Sequence, residues 1–275
     1  MDYFYYMLTL VLTGIGVGFI TGLLGVGGGF IIVPILFFLL QGMGVDPTTA
    51  IRVAFGTSLA IILPTAISSA YRHYRENQVE VKAAVYFGIS GFLGGLTGGY
   101  VATHTPEDIL RFLFGLILLF VALRLLFFKD SADNRVKIEN IVLFILFGFL
   151  AGLASGLIGV GGGIIIIPVM VLIMGYTMKQ ASGTSSAVII ITSLGGIISY
   201  VLNGLTVTGL PAYSVGYINL LQLLVIIIFS IPMAQVGAWT ATKLPENILR
   251  YIMVTLQMYI ALKMLGVFDL LGLPL

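Results

Sequence analysis

The string GLLGVGGGFIIVP at 22–34 returns as GLIGVGGGIIIIP at 156–168. Two further matches follow in the same order. FGTSLAIIL (55–63) pairs with SGTSSAVII (182–190), and TPEDILRFLFGLILLFVALRLL (105–126) pairs with LPENILRYIMVTLQMYIALKML (244–265). Matches in register along the chain are the mark of an internal duplication. The halves are 1–128 and 138–275, joined by the charged stretch KDSADNRVK at 129–137, read as a cytoplasmic linker.

The halves cannot be soluble domains. Hydrophobic residues make up 59% of the chain and charged residues 9%, against about 25% charged in an ordinary soluble domain. So few charges cannot form a polar skin, and disorder needs the opposite composition. An all-α polytopic membrane protein remains. At about 20 apolar residues per spanning helix, the length allows roughly eight to ten membrane helices. Each half parses alike: a long apolar stretch broken by glycines (5–42 and 140–175), then three helices (51–71, 81–102, 108–128; 182–202, 216–241, 247–266). Each broken stretch reads as two short helices meeting at the glycines. The N-terminus has no basic region and no Ala-x-Ala site, so it reads as a retained membrane segment.

Lys and Arg placement sets the orientation. If each broken stretch returns to its starting side, one face carries Arg72, Arg75, Lys82, Lys129, Arg135, Lys137, Lys179 and Lys243. The other keeps Arg52, Arg111, Lys263 and the uncharged loop 203–212. A single crossing by the broken stretch divides the positives more evenly. The first parse gives each half an odd number of crossings. The halves are then inverted repeats, a common transporter architecture, and both termini lie outside the cytoplasm of a multi-pass plasma-membrane protein.

Several chemistries lack their residues. A net charge of +2 does not point to nucleic acid. There is no cysteine, and His73 and His104 are the only histidines, so thiol catalysis is out and a histidine metal site is disfavoured. GVGGG has apolar sequence continuing on both sides, not the strand–turn–helix unit of a dinucleotide fold, and no GK[ST] occurs. No nucleophile–base arrangement or cofactor motif suggests an enzyme. Asp2, Asp46, Glu76, Glu80, Glu107, Asp108, Asp130, Asp133, Glu139, Glu246 and Asp269 all fall in or near loops or helix ends. A mid-span carboxylate relay is therefore absent from the pattern.

The glycine runs are the first candidate site: Gly27, Gly28 and Gly29, with Gly161, Gly162 and Gly163. Helix starts expose unpaired N–H groups and a positive dipole end, an anion site without a charged side chain. Close helix crossing explains the same glycines equally well. Gly56, Thr57 and Ser58, with Gly183, Thr184, Ser185 and Ser186, are the second candidate, read as opening the third helix of each half. Their hydroxyls would cap those helices or donate to an anion. Arg52, Arg111, Arg124, Arg250 and Lys263 read mainly as interfacial anchors. Gln222, Gln235 and Gln257 read as buried amides binding helices together. The ladders Gly91-Gly95-Gly99 and Gly148-Gly152-Gly156 read as packing faces.

These motifs resemble the sulfite exporter TauE/SafE family over nearly the whole chain. The resemblance rests on the duplicated G-x-x-G-V-G-G-G-x-x-x-x-P, on G-T-S at 56–58 and 183–185, and on P-E-x-x-L-R at 106–111 and 245–250. It implies secondary transport of a small sulfur-containing anion such as sulfite, thiosulfate or sulfoacetate, by alternating access around a midplane site between the halves. The expected partners are that anion and the lipid bilayer, with no cofactor and no nucleic acid. Proton coupling stays open, as does a homodimer. An anion channel and a carrier for a non-sulfur carboxylate are the alternatives.

Overall fold

A computed structural model describes residues 3–24, 28–127, 137–241, 243 and 245–270. Helices dominate: α1 (Tyr3–Leu24), α2 (Gly29–Gly42), α3 (Pro47–Arg75), α4 (Val81–His104) and α5 (Glu107–Phe127) in the first half. The second half holds α6 (Ile141–Ile158), α7 (Gly163–Pro168, widening to a π-helical turn at Val169–Ile173) and α8 (Met178–Gly204). A two-stranded antiparallel hairpin, β1 (Ser214–Val215) and β2 (Ile218–Asn219), leads into α9 (Leu220–Ala241), α10 (Glu246–Met264) and α11 (Val267–Leu270).

Among the described residues, six helices are long and apolar enough to cross a membrane: those at Phe4–Leu23, Pro47–Arg75, Glu107–Phe127, Ile141–Ile158, Met178–Gly204 and Leu220–Gly237. Gly29–Gly42, Gly163–Ile173 and Tyr251–Met264 are apolar but shorter. α4, at 24 residues, has the length, but its glycines dilute its hydropathy. The outer faces are apolar, as lipid requires: Phe4, Leu12, Phe112, Phe120, Val142, Leu224, Ile228 and Trp239 are all exposed. The chain is a multi-pass, all-α membrane protein.

The broken stretches differ from the sequence expectation. They are not two short helices each. α1 runs 22 residues and α6 runs 18, so the first member is full length and only the second is short. Nothing in α1 or α6 stops a helix before the glycines. Gly159 then ends α6 in the left-handed region (φ +69°), where glycine carries no Cβ penalty.

α3 also begins earlier than its apolar pattern suggests. Pro47 occupies the first turn, and the Asp46 carboxylate accepts a hydrogen bond from the Thr49 N–H at 3.1 Å. α8 starts with a capping box between Thr177 and Gln180. Conversely, α9 starts four residues late, because the hairpin occupies its expected first turn.

The packing is reciprocal between halves. α1 lies on α9 and α6 on α4, so the first helix of each half meets the fourth helix of the other. α3 meets α8, and α5 meets α10. The glycine ladders make this possible. A Cβ on Gly94 or Gly98 would strike the Phe149 or Leu153 carbonyl of α6, and one on Gly152 would strike that of Gly91.

Contacts also give direction. Along α1 and α9, Gly14 meets Ile226, Gly18 meets Ser230 and Gly22 meets Ala234, so these helices run parallel. Along α4 and α6, Gly91 meets Gly148 and Gly98 meets Leu153, again parallel. α3 and α8 are antiparallel: Gly56 faces Tyr200 and Gly183 faces His73. α2 is buried from Gly29 to Pro34, and its Leu36, Phe37 and Leu40 join Phe55, Leu59, Phe114 and Leu118 in the main core.

Candidate functional site

The two glycine breaks meet each other. Gly27 lies outside the described residues; the others are buried together. Gly28 (φ +64°) and Gly162 (φ +76°) stand just before α2 and α7, neither with a side-chain cap. A Cβ on Gly29 would lie 3.0 Å from Val160 Cα and 3.1 Å from the Gly159 carbonyl oxygen. Ile62 of α3 and Ile189 of α8 close over the junction. A Cβ on Gly161 would lie 3.2 and 3.3 Å from them, and one on Gly163 would lie 2.9 Å from Ile189 and 3.2 Å from the Ser185 hydroxyl. The first bonded amides are those of Ile31 and Ile32 on the Gly28 carbonyl, and of Ile165 and Ile166 on that of Gly162. The amides ahead of them are the ones that a helix start leaves without an intrahelical acceptor.

The Gly-Thr-Ser segments do not open their helices. They sit inside α3 and α8, about three turns past Asp46 and about two past Thr177, which do the capping. Their own N–H groups therefore belong to the helix ladder, and the helix-start reading is corrected. Arg52 lies in the second turn of α3.

What the segments do is join the halves. The Thr57 hydroxyl accepts from the backbone N–H of Asn219, just before α9, at 2.9 Å. The Thr184 hydroxyl accepts from that of Glu80, just before α4, at 3.0 Å. Gly56 admits the Tyr217 carbonyl and Gly183 that of Gln78, each closer than a Cβ would tolerate. The Ser58 hydroxyl donates to the Gly159 carbonyl at 2.8 Å. Ser185, its counterpart, is 1% exposed, and its hydroxyl has no partner among the described residues. Ser186 bonds Ser69 at 3.0 Å and the Ser182 carbonyl.

The two ends of the α3–α8 pair are chemically different. At the Thr184 end, His73 Nδ1 is 2.6 Å from Gln78 Oε1, and Glu80 accepts from Lys137 (3.1 Å) and Gln180 (3.0 Å). Nearby Tyr176, in the loop before α8, has its hydroxyl pKa pushed up to about 12 by burial first, then by Glu139 and Glu80, so it stays neutral at physiological pH. At the Thr57 end, Arg52 donates to the Tyr217 hydroxyl and the Thr105 carbonyl, both at 3.3 Å.

Other sequence readings divide. Gln222 is buried and donates to the Tyr6 hydroxyl at 3.1 Å, and Gln257 is fully buried. Gln235 is exposed on α9, not buried, since it falls on that helix's outer face. Arg111 pairs with Glu107 at 3.1 Å and lies over the Phe37 ring. Sequence reasoning missed Thr21 and Ser155. They occupy the same place in each half, one residue before the duplicated string; the Thr21 hydroxyl lies against Gly28 and the Ser155 Cβ against Gly162, and neither hydroxyl has a partner among the described residues. That shared hydroxyl was the available signal.

The chain matches the family model described as sulfite exporter TauE/SafE over residues 10–264. A probable membrane transporter protein of Methanocaldococcus jannaschii is 32% identical over 245 residues, covering 88% of each chain. One from Haemophilus influenzae is 31% identical over 251 residues, 90% of this chain and 93% of the relative. The relative YunE of Bacillus subtilis, also called a probable membrane transporter protein, is 28% identical over 213 residues, 71% of this chain and 78% of its own. No solved structure gives a significant match. With breaks, hydroxyls and membrane helices arranged as above, the chain is a membrane transporter and belongs to the sulfite exporter TauE/SafE family.

Proposed function

We propose that the protein is a secondary transporter for a small sulfur-containing anion, working by alternating access around the junction of the two glycine breaks. The observation that carries this reading is the meeting of Gly29 with Gly159 and Val160, which puts a helix start from each half beside the same α3–α8 crossing. Irregular backbone at membrane depth is tolerated only inside protein or along a cavity. Two helix N-termini there offer a positive field without a cation, which suits an anion.

The directions of the helices support inverted repeats. α1 starts at the Arg52 end, beside α9, while its homologue α6 starts at the opposite end, beside α4. Arg72, Arg75, Lys82, Lys137, Lys179 and Lys243 belong to that opposite end, where α3 and α9 stop and α4, α6 and α8 start. Placed in the cytoplasm, that end satisfies the positive-inside rule, and α1 then starts and α10 ends outside, in the plasma membrane.

The reciprocal ties at Thr57 and Thr184 lie at opposite ends of the α3–α8 pair, where two alternating gates would stand. The junction itself is closed by Ile62, Ile189 and the touching breaks, which favours a carrier over a standing pore. Uptake of sulfite, thiosulfate or sulfoacetate by proteoliposomes above protein-free vesicles is the expected result. Uptake of none of them would overturn the substrate class.

A further inference from the structure

The two breaks are homologous but not equivalent in their hydrogen bonding. Ser58 spends its proton on the Gly159 carbonyl at 2.8 Å. Ser185, its repeat mate, keeps its proton: it is 1% exposed with no partner among the described residues. Ser155, on the last turns of α6, is likewise 1% exposed and unpartnered among the described residues; its repeat mate Thr21, less buried, is unpartnered at the first break as well, so the asymmetry rests on Ser58 and Ser185. Both flank the start of the Gly163–Ile173 helix. The Ser185 hydroxyl stands 3.2 Å from where a Gly163 Cβ would be, and Ser155 Cβ stands 3.5 Å from where that of Gly162 would be. Ser155 and Gly162, among otherwise apolar side chains, line a cavity of about 10 Å³, room for one water but not for an oxyanion; Ser185 is not part of that lining.

A buried hydroxyl without a partner costs free energy, and here the two residues that carry them flank one helix start. We infer that the transported anion is held asymmetrically, at the second half's break, by the hydroxyls of Ser155 and Ser185 with the first N–H groups of the Gly163–Ile173 helix, and that it is held as a monoanion. The charge follows from what surrounds it. Among the described residues, no Lys or Arg lines the cavity. The Gly163 helix start contributes roughly half a positive charge, and the α2 start abutting Val160 contributes about as much again. One negative charge is balanced, and a second would be buried unpaired. The cavity must widen to admit an oxyanion, which is the movement alternating access supplies. This inference rests on the anion-transport reading.

The test uses the purified full chain, with binding and melting temperature measured against sulfite, methanesulfonate (a monoanion) and sulfate (a dianion) at one pH. The wild type should bind sulfite or methanesulfonate at least tenfold more tightly than sulfate. Ser155→Ala/Ser185→Ala should weaken that binding at least tenfold, while its melting temperature without ligand stays level or rises, because unpartnered hydroxyls do not hold the fold. Ser155→Thr, which installs the residue of the first half, should keep the binding. Retained affinity in the double variant, loss of its fold, or tightest binding to sulfate would overturn the inference while leaving anion transport standing. A wild type that binds none of the three would overturn both.

Discussion

The hydroxyl of Ser58 donates to the carbonyl of Gly159 across 2.8 Å, fastening the third helix of the first half to the glycine break of the second. The bond is buried, and it is one of several that cross between the halves. It stabilises the closed junction and thereby opposes its opening. Ser58→Ala leaves the Gly159 carbonyl unpaired, which should lower stability by about 1–3 kcal/mol. Thermal unfolding in detergent checks this, and an unchanged melting temperature would contradict it.

Thr57 and Thr184 hold opposite ends of the α3–α8 pair through the N–H groups of Asn219 and Glu80. Removing either hydroxyl should cost roughly 1 kcal/mol, and the two losses should add because the sites are far apart. Their effects on access should be opposite. The chain has no cysteine, so single introduced cysteines report cleanly. Thr184→Ala should speed thiol labelling of Gln78→Cys and leave Tyr213→Cys unchanged, and Thr57→Ala should do the reverse.

Gly29 and Gly42 sit at the two ends of α2 in opposite surroundings. A Cβ at Gly29 would come within 2.6 Å of the Ile62 side chain and 3.0 Å of Val160 Cα, whereas one at Gly42 would meet nothing within 4 Å. Gly29→Ala should destabilise by about 1–3 kcal/mol through overpacking and reduce transport. Gly42→Ala should be neutral or add up to about 1 kcal/mol from helix propensity. Equal melting temperatures for the two variants would contradict the close contact of the breaks.

The orientation is checked on intact cells with a thiol reagent that does not cross the membrane. Tyr213→Cys, on the exposed turn beside the hairpin, should label from outside. Arg72→Cys, at the exposed end of α3, should label only after permeabilisation. The opposite pattern would invert the positive-inside assignment.

Much of the fold was legible because the solvent is lipid. Apolar runs and the charges between them mark helices and loops directly, and the bounds of α4 and α5 fall within a few residues of the apolar pattern. The start of α3 was not, because Pro47 and the Asp46 cap extend the helix through a polar first turn that hydropathy does not register. The hairpin before α9 was not either: its apolar residues continue the pattern of the helix it precedes. At the site, duplication pointed to the glycines and the Gly-Thr-Ser segments. It did not tell which hydroxyl would be spent between the halves, as that of Ser58 is, and which would be left over, as that of its repeat mate Ser185 is. That depends on tertiary contacts among homologous residues, and a sequence repeat makes such residues look alike.

Counterflow in proteoliposomes tests carrier transport of a sulfur anion most directly. Vesicles are loaded with unlabelled sulfite and given a trace of labelled sulfite outside. A carrier whose site faces one side at a time predicts a transient accumulation of label above equilibrium, lost in Gly29→Ala. Label that enters without any overshoot, accompanied by unitary currents, or label that does not enter at all, would contradict alternating access at the meeting of the two breaks.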